Sequence, residues 1–322
     1  MLLRAVIQNL AQGVVALVWM AGLRRLAAAL AAPAWSDLLR RAVLLPPLLL
    51  AWRLAGLPTL PERLSVFRAD EWAVLVGEGG VATAVVAAAL LGGTVLLFLF
   101  QEVVPALRSR MRPQPATESA DDRLDAALAR VLAAFRAAGW TLPRGRLPRI
   151  FRLEVDDRVS ALHGFAENRI VLSRGLLDQL DDQELDGAVA HELAHHARGG
   201  NLRLFGVWLA RCLQAFNPAV LALFREFVEA EEAACDAVAA RVLDRPAALA
   251  SAILKAHGTP APAPADATPW RRARAEVVRR ANAAATRDRV ERLLKPSRPW
   301  AAPPLFVTGA SLLLALLLWS LG

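Results

Sequence analysis

The sequence predicts a mainly α-helical protein in which several membrane-spanning helices carry one helix-rich α+β domain. Of its 322 residues 56% are hydrophobic, yet the chain also has 38 basic residues and a net charge of +8. This mixture is typical of membrane proteins with arginine-rich cytoplasmic flanks. Nucleic-acid binding is not indicated, because tyrosine is absent and no zinc-finger or RNA-recognition pattern occurs. The two cysteines are too few for a disulfide framework.

Four apolar stretches predict the membrane spans. A bilayer core of about 30 Å requires about twenty apolar residues in a helix. The stretches that approach this length are residues 5–23, 38–57, 81–100 and 305–321. The second is the least regular because Arg40, Arg41 and Arg53 interrupt it, although arginines near the ends of a span can extend to the headgroups. Arg24 and Arg25 follow the first stretch directly and precede the small residues, so a retained anchor is predicted instead of a cleaved signal peptide.

The distribution of arginine predicts the orientation of these spans. Basic residues exceed acidic ones between the first two spans and again after the third, whereas the loop before the third span is acidic. Under the positive-inside rule, the long region from Gln101 to Pro304 faces the cytoplasm. The sequence therefore predicts a multi-pass protein that has the lipid bilayer as one partner and its main domain in the cytoplasm.

Composition divides the chain into six segments. The polar run RPQPATESADD and the Pro/Ala-rich run GTPAPAPADATP indicate linkers. The predicted segments are a three-span anchor at 1–111, a linker at 112–122, the main domain at 123–256, a linker at 257–270, a basic helix at 271–304 and a C-terminal span at 305–321. We expect the basic helix to face solvent or lipid headgroups.

The main domain is predicted to combine helices with short strands. Apolar residues at helical spacing cover residues 124–138, and the runs RIFRLEV and NRIVLS are typical of strands. Asp181 or Asp182 can cap a helix that continues through His195. The apolar helices in 202–227 fit either a buried core or a hairpin that enters the bilayer.

The strongest chemical signal is the run His191-Glu192-Leu193-Ala194-His195, an HExxH pattern. On a helix, His191 and His195 project from one face a turn apart, so both imidazoles can bind one zinc ion. Glu192 is rotated by about 100° from His191. In that position it can accept a proton from the attacking water and return it to a leaving amine. The apolar residues around the pattern favour a largely buried helix over an exposed, charged turn.

A catalytic zinc ion requires a third protein ligand and an open coordination position. The run EAEEAACDAVAA offers Glu232 and Asp236, again at i and i+4, on a face otherwise lined by alanine. We predict that Glu232 is the third ligand and that Asp236 accepts the second N–H of a ligand histidine. Cys235 is the rival ligand, and binding by both residues would close the site into a four-coordinate structural zinc. A buried apolar role is the other alternative for Cys235.

The remaining histidines and the neighbouring glutamates are predicted to lie outside the ligand set. We expect Glu226, Glu229 and Glu231 to be solvated. His196 is expected to support the site or an interface. We expect His163 and His257 to be structural or on the surface.

Three segments, RIVLSRGLLDQL, HELAHHARGGN and EEAACDAVAARV, resemble the Bla/Mec-type sensor-transducer peptidases, which are integral-membrane zinc peptidases of bacteria. The most distinctive element is the Glu-x-x-Cys-Asp pattern from Glu232 to Asp236. The resemblance implies that His191, His195 and Glu232 bind Zn²⁺ and that Glu192 is the general base. It also implies a bacterial inner-membrane location and a role in signal transduction.

The chain departs from that family at two places. Residues 198–201 read Arg-Gly-Gly-Asn where the family usually has Arg-x-Asp-Asn, so one carboxylate at the helix end is missing. The chain ends at Gly322 without the extracellular penicillin-binding sensor domain, so β-lactam sensing is not expected. The segments ALHGFAENRIVLS and TRDRVERL also resemble the HtpX/CAAX prenyl protease family, whose members degrade or trim membrane-associated substrates.

The expected function is that of a zincin-like, membrane-anchored endopeptidase acting on a protein or peptide substrate. We expect the substrate to add a strand along a sheet edge at Arg169 to Ser173. The alternative with the same chemistry is a protease for the quality control of membrane proteins. A non-catalytic membrane transducer or scaffold with a structural zinc site is the alternative from a different functional class.

Overall fold

The computed structural model describes residues 2–26, 30–57, 65, 67–100, 118–142, 147–164, 168–257, 269–295 and 303–321. Helices make up most of this part of the chain, together with one small sheet, and the prediction of a mainly helical fold is confirmed. Most of the two predicted linkers, 112–122 and 257–270, lies outside the described residues.

The elements are numbered here in chain order. The helices are α1 (Leu2–Leu26), α2 (Ala32–Leu54), α3 (Ala69–Glu78), α4 (Gly80–Phe98), α5 (Asp122–Ala137), α6 (Arg174–Leu177), α7 (Asp182–Ala197), α8 (Gly200–Leu213), α9 (Pro218–Leu243), α10 (Pro246–His257), α11 (Pro269–Leu294) and α12 (Pro304–Ser320). The strands are β1 (Glu118–Ser119), β2 (Arg149–Leu153), β3 (Ser160–His163) and β4 (Arg169–Ser173).

The chain forms two compact units, of which the first combines residues 1–114, 205–231 and 299–322. Amide side chains join its helices inside a largely apolar core. Asn9 Nδ2 donates to Gln214 Oε1 at 3.0 Å, and Asn217 Nδ2 donates to the Asn9 carbonyl at 2.7 Å. The prediction that Glu231 is solvated is wrong, because Glu231 is buried and accepts a hydrogen bond from Ser36.

One helix of the first unit, Leu3–Arg25, is long and apolar enough to cross a membrane, judged over the described residues. Glu71–Glu78 and Thr83–Phe98 satisfy the same criterion only as a pair, across a bend of 113°. Pro304–Ser320 is apolar but shorter. These helices coincide with the first, third and fourth predicted spans, whereas α2 carries three arginines within the second. The multi-span anchor stays a prediction.

The second unit comprises residues 115–204 and 232–298 and contains the sheet, whose strand order is β1-β2-β4-β3. β2 and β4 are parallel, and the other two pairings are antiparallel. β4 therefore lies inside the sheet, and the prediction that Arg169–Ser173 forms an edge is wrong. Its four consecutive buried residues, Ile170 to Ser173, are the pattern of a strand covered on both faces. The edge strand on this side is β3.

Helices α5, α7 and α10 pack with this sheet around a single apolar core. The start of α7 is joined to α10 by one carboxylate. Glu184 accepts hydrogen bonds from Ser251 Oγ and Lys255 Nζ, both at 2.6 Å. This contact fixes α10 beside the face of α7 that carries the HExxH residues.

Candidate active site

Helix α7 presents the two predicted histidine ligands. Its start is stabilised by a capping box, in which Asp181 accepts the Glu184 N–H and Glu184 accepts the Asp181 N–H, both at 2.8 Å. Gly199, with φ of 108°, adopts the left-handed backbone that commonly ends a helix. His191 and His195 project from one face, and their ring centroids are 4.9 Å apart.

Glu232 of α9 lies opposite the two histidines. Its Oε1 is 3.3 Å from His195 Nε2, its Oε2 is 3.5 Å from His191 Nε2, and the two Nε2 atoms are 3.2 Å apart. Donor atoms at three corners of a tetrahedron with bonds of about 2.0–2.1 Å lie about 3.3–3.4 Å from one another. The observed distances are close to these values, with each histidine facing a different oxygen of Glu232. The three predicted ligands are therefore brought close enough together to hold one metal ion.

Asp236, one turn beyond Glu232 on α9, faces the other side of His191. Its Oδ1 lies 2.9 Å from His191 Nδ1, so that Nε2 of the same ring points toward Glu232. The Asp236 carboxylate also accepts two hydrogen bonds from Arg289 of α11, from Nε and Nη2, each at 2.8 Å. Arg289 Nη1 lies 3.0 Å from Glu232 Oε2. One arginine thus contacts both carboxylates of the cluster.

These charges interact strongly because His191, His195 and Asp236 are largely shielded from water. Burial favours neutral His191, but Asp236 and Glu232 outweigh this effect and raise the pKa of His191 to about 10. Burial also opposes ionisation of Glu232, yet His191 and His195 hold the pKa of Glu232 well below its usual value. The pKa of Asp236 is lowered in spite of burial by His191 and Arg289. Both carboxylates are therefore ionised and suited to binding a cation.

Glu192 lies beside the donor triad without belonging to it. Its carboxylate accepts a hydrogen bond from Ser160 Oγ, at the start of the edge strand β3, with a distance of 2.7 Å. Glu192 is largely buried, and it lines the same cleft as His191 and His195. This arrangement agrees with the predicted position of a proton-carrying group near the ligands.

The cleft that contains these groups has a volume of about 450 Å³. β3 forms one side, and Asn201 at the start of α8 lies at one end. Asn201 Nδ2 donates to the carbonyls of Leu162 and Gly164, which holds the end of the edge strand. Apolar residues of α7 and α10 also line the cleft, namely Ala188, Leu249, Ala252, Ile253 and Ala256.

The other histidines and Cys235 lie outside the donor triad. Cys235 is fully buried in the apolar core, as one of the two alternatives predicts. His196 is buried, with Nδ1 2.8 Å from Asn168 Nδ2, and burial lowers the pKa of His196. His163 is exposed on β3, whereas His257 lines the cleft that contains the site.

The segment that contains most of this site matches a known family. Residues 144–283 match the family described as BlaR1 peptidase M56. The resemblance to Bla/Mec-type peptidases is thereby confirmed for this segment, and the match indicates a metallopeptidase. It includes the HExxH helix, Glu232 and Asp236, but it ends before Arg289. No curated protein matches the chain.

Two residues of the candidate site were not found by sequence reasoning. Ser160 carries no distinctive pattern, since it is one small residue in a short strand. Arg289 lies in the run TRDRVERL, which resembles a segment of the HtpX/CAAX family, but nothing in that run connects it to a glutamate 57 positions earlier. Both connections depend on the packing of separate elements around α7.

Proposed function

We propose that the protein is a zinc-dependent endopeptidase anchored in a membrane, with its active site at His191, Glu192, His195 and Glu232. One observation carries this proposal: the Glu192 carboxylate lines a cleft together with His191, His195 and Glu232, whose ligand atoms lie close enough to hold one metal ion. A closed structural zinc site would need neither the cleft nor the Glu192 carboxylate beside the ligands.

Each residue of the site has a separate role in this proposal. His191, His195 and Glu232 hold the ion, and Asp236 keeps His191 Nε2 directed toward it. Bound there, Zn²⁺ would polarise the scissile carbonyl and acidify water. Glu192 accepts the proton of the attacking water and then donates it to the leaving amine. Ser160 holds the Glu192 carboxylate in place through its hydrogen bond.

We place the substrate along β3 instead of β4. In the described part of the sheet β3 pairs only with β4, so its outer edge can accept an extended peptide as a further strand. Residues 158–162 line the cleft, so such a peptide would pass the donor triad. The apolar residues of α7 and α10 that line the cleft favour a substrate with an apolar side chain near the scissile bond.

The membrane anchor is proposed from the composition of the first unit. Large apolar side chains are exposed along its helices, among them Val18 on α1, Val85 and Leu90 on α4 and Leu312 on α12. Large apolar side chains exposed along several helices are costly in water and favourable in lipid. The arginine distribution in the sequence supports a cytoplasmic position for the peptidase unit. The resemblance of the sequence to the Bla/Mec-type sensor-transducer peptidases favours a regulatory substrate over general quality control.

The proposal is tested by replacing Glu192 with Gln in the full-length protein in its native membrane. The variant removes the proton carrier and leaves the three donor residues intact. We expect zinc content to stay near one ion per chain by elemental mass spectrometry. Fragments of membrane and cytosolic proteins that accumulate with the wild type should be absent with Glu192→Gln.

The matched control is Glu229→Gln, which removes an exposed carboxylate from α9 and should cleave like the wild type. Undiminished cleavage by Glu192→Gln would overturn the mechanism. A wild-type protein that binds zinc but yields the same fragments as Glu192→Gln would instead favour the non-catalytic transducer.

A further inference from the structure

Arg289 contacts the carboxylates of both Asp236 and Glu232. Its side chain is only 11% exposed. Nε and Nη2 form a paired contact with Asp236, and Nη1 reaches Glu232. Because the guanidinium is planar, holding two of its nitrogens on Asp236 also fixes the direction of the third nitrogen, Nη1.

The two carboxylates contacted by Arg289 act on the same histidine from opposite sides. Asp236 faces His191 Nδ1, and Glu232 faces His191 Nε2. Rotation of either carboxylate would change the orientation of the His191 ring or of the third donor. Arg289 limits both rotations at once, since its guanidinium binds both oxygens of Asp236 and contacts Oε2 of Glu232.

The positive charge of Arg289 and its contacts with the two carboxylates have opposite effects on zinc affinity. A positive charge close to a divalent cation lowers affinity for that cation by repulsion. The paired contact with Asp236 offsets much of this repulsion, since the two groups together are neutral. Loss of an outer contact that orients metal ligands typically lowers metal affinity about ten- to hundredfold. The sign of the change in zinc affinity on removing Arg289 therefore reveals which effect dominates.

We propose that Arg289 is a positioning residue of the metal centre, which acts through Asp236 and Glu232 to hold the donor triad in its zinc-binding geometry. This inference rests on the proposed function. It assigns a part of the site to α11, a helix that follows the Pro/Ala-rich segment and carries Arg289 beyond the matched family segment.

The test measures zinc affinity in the purified full-length protein by competition with a chromophoric chelator. Arg289→Met keeps the length and apolar stem of the side chain, and we expect it to bind zinc about ten- to hundredfold more weakly. Arg289→Lys retains the positive charge without the planar guanidinium, and its zinc affinity should stay close to that of Arg289→Met. The visible spectrum of the cobalt-substituted protein should show an altered coordination geometry in both variants.

A double-mutant cycle shows whether Arg289 acts through Asp236. If it does, Arg289→Met in an Asp236→Asn background should cost much less affinity than in the wild type. Arg292→Met, an exposed arginine three residues on in α11, is the matched control and should bind zinc like the wild type.

The outcomes separate this inference from the proposed function. Wild-type protein that fails to bind zinc would overturn the proposed function itself. Wild-type protein that binds zinc while Arg289→Met binds it equally or more tightly, with an unchanged cobalt spectrum, would overturn the positioning role alone. Wild-type zinc affinity in Arg289→Lys would show that the positive charge suffices without the planar guanidinium. That result would also overturn the positioning role.

Discussion

The Ser160 hydroxyl donates a hydrogen bond to the Glu192 carboxylate across 2.7 Å, which connects the edge strand to the group that carries the proton. Ser160 belongs to β3, and Glu192 belongs to α7. The element proposed to hold the substrate therefore also orients the general base. A peptide that pairs with β3 would bind directly beside this hydrogen bond.

Replacing Ser160 with Ala should lower kcat about tenfold and leave KM and zinc content nearly unchanged. The reason is that a hydrogen bond to a charged group contributes about 1.5–3 kcal/mol, of which only the part that orients Glu192 affects the chemical step. Steady-state kinetics on a cleaved peptide measure this effect. Ser160→Thr keeps the hydroxyl in a strand and should recover most of the rate. Equal rates for Ser160→Ala and the wild type would contradict the orienting role.

Zinc binding at neutral pH should release about one proton from His191. Because Asp236 and Glu232 raise the pKa of His191 to about 10, the metal-free site holds this imidazole protonated at pH 7. Zinc requires the neutral ring, so its apparent affinity should rise by about one decade per pH unit below pH 10 through this group. Calorimetry in buffers of different ionisation enthalpy counts the protons. Asp236→Asn, which removes the larger of the two raising contacts, should release fewer protons at pH 7.

Sequence reasoning found the donor residues because their spacing on two helices is a local property. His191 and His195 share a helical face wherever that helix packs, and Glu232 was selected by the need for a third ligand. The sheet order was not predictable in the same way. The run IVLS in β4 indicates burial on both faces, but which neighbour takes the edge depends on the connection through residues 154–168. Glu231 and Arg289 were missed for a related reason: their burial depends on contacts with residues far away in the chain.

The stability of the second unit should fall at acidic pH through the Glu184 contacts between α7 and α10. Burial opposes ionisation of Glu184, but Lys255, Ser251 and the Asp181 N–H together lower the pKa of Glu184 below its ordinary 4.5. A carboxyl whose folded-state pKa is lowered stabilises the fold above the unfolded-state pKa, and this contribution is lost as the pH falls through the folded-state pKa.

Glu184→Gln should therefore lower the free energy of unfolding by about 1–2 kcal/mol at pH 7, because the partly exposed Lys255 loses its charged acceptor. The difference from the wild type should shrink as the pH falls from 4.5 through the lower folded-state pKa of Glu184, where the wild-type carboxyl itself becomes protonated. Denaturant unfolding of the detergent-solubilised protein at pH 7 and at acidic pH measures both values. Asp182→Asn is the matched control, since the Asp182 side chain is 74% exposed and its ion pair with Arg123 lies at the surface. A destabilisation by Glu184→Gln that is equally large at both pH values would mean that the charge on Glu184 contributes nothing to joining the two helices.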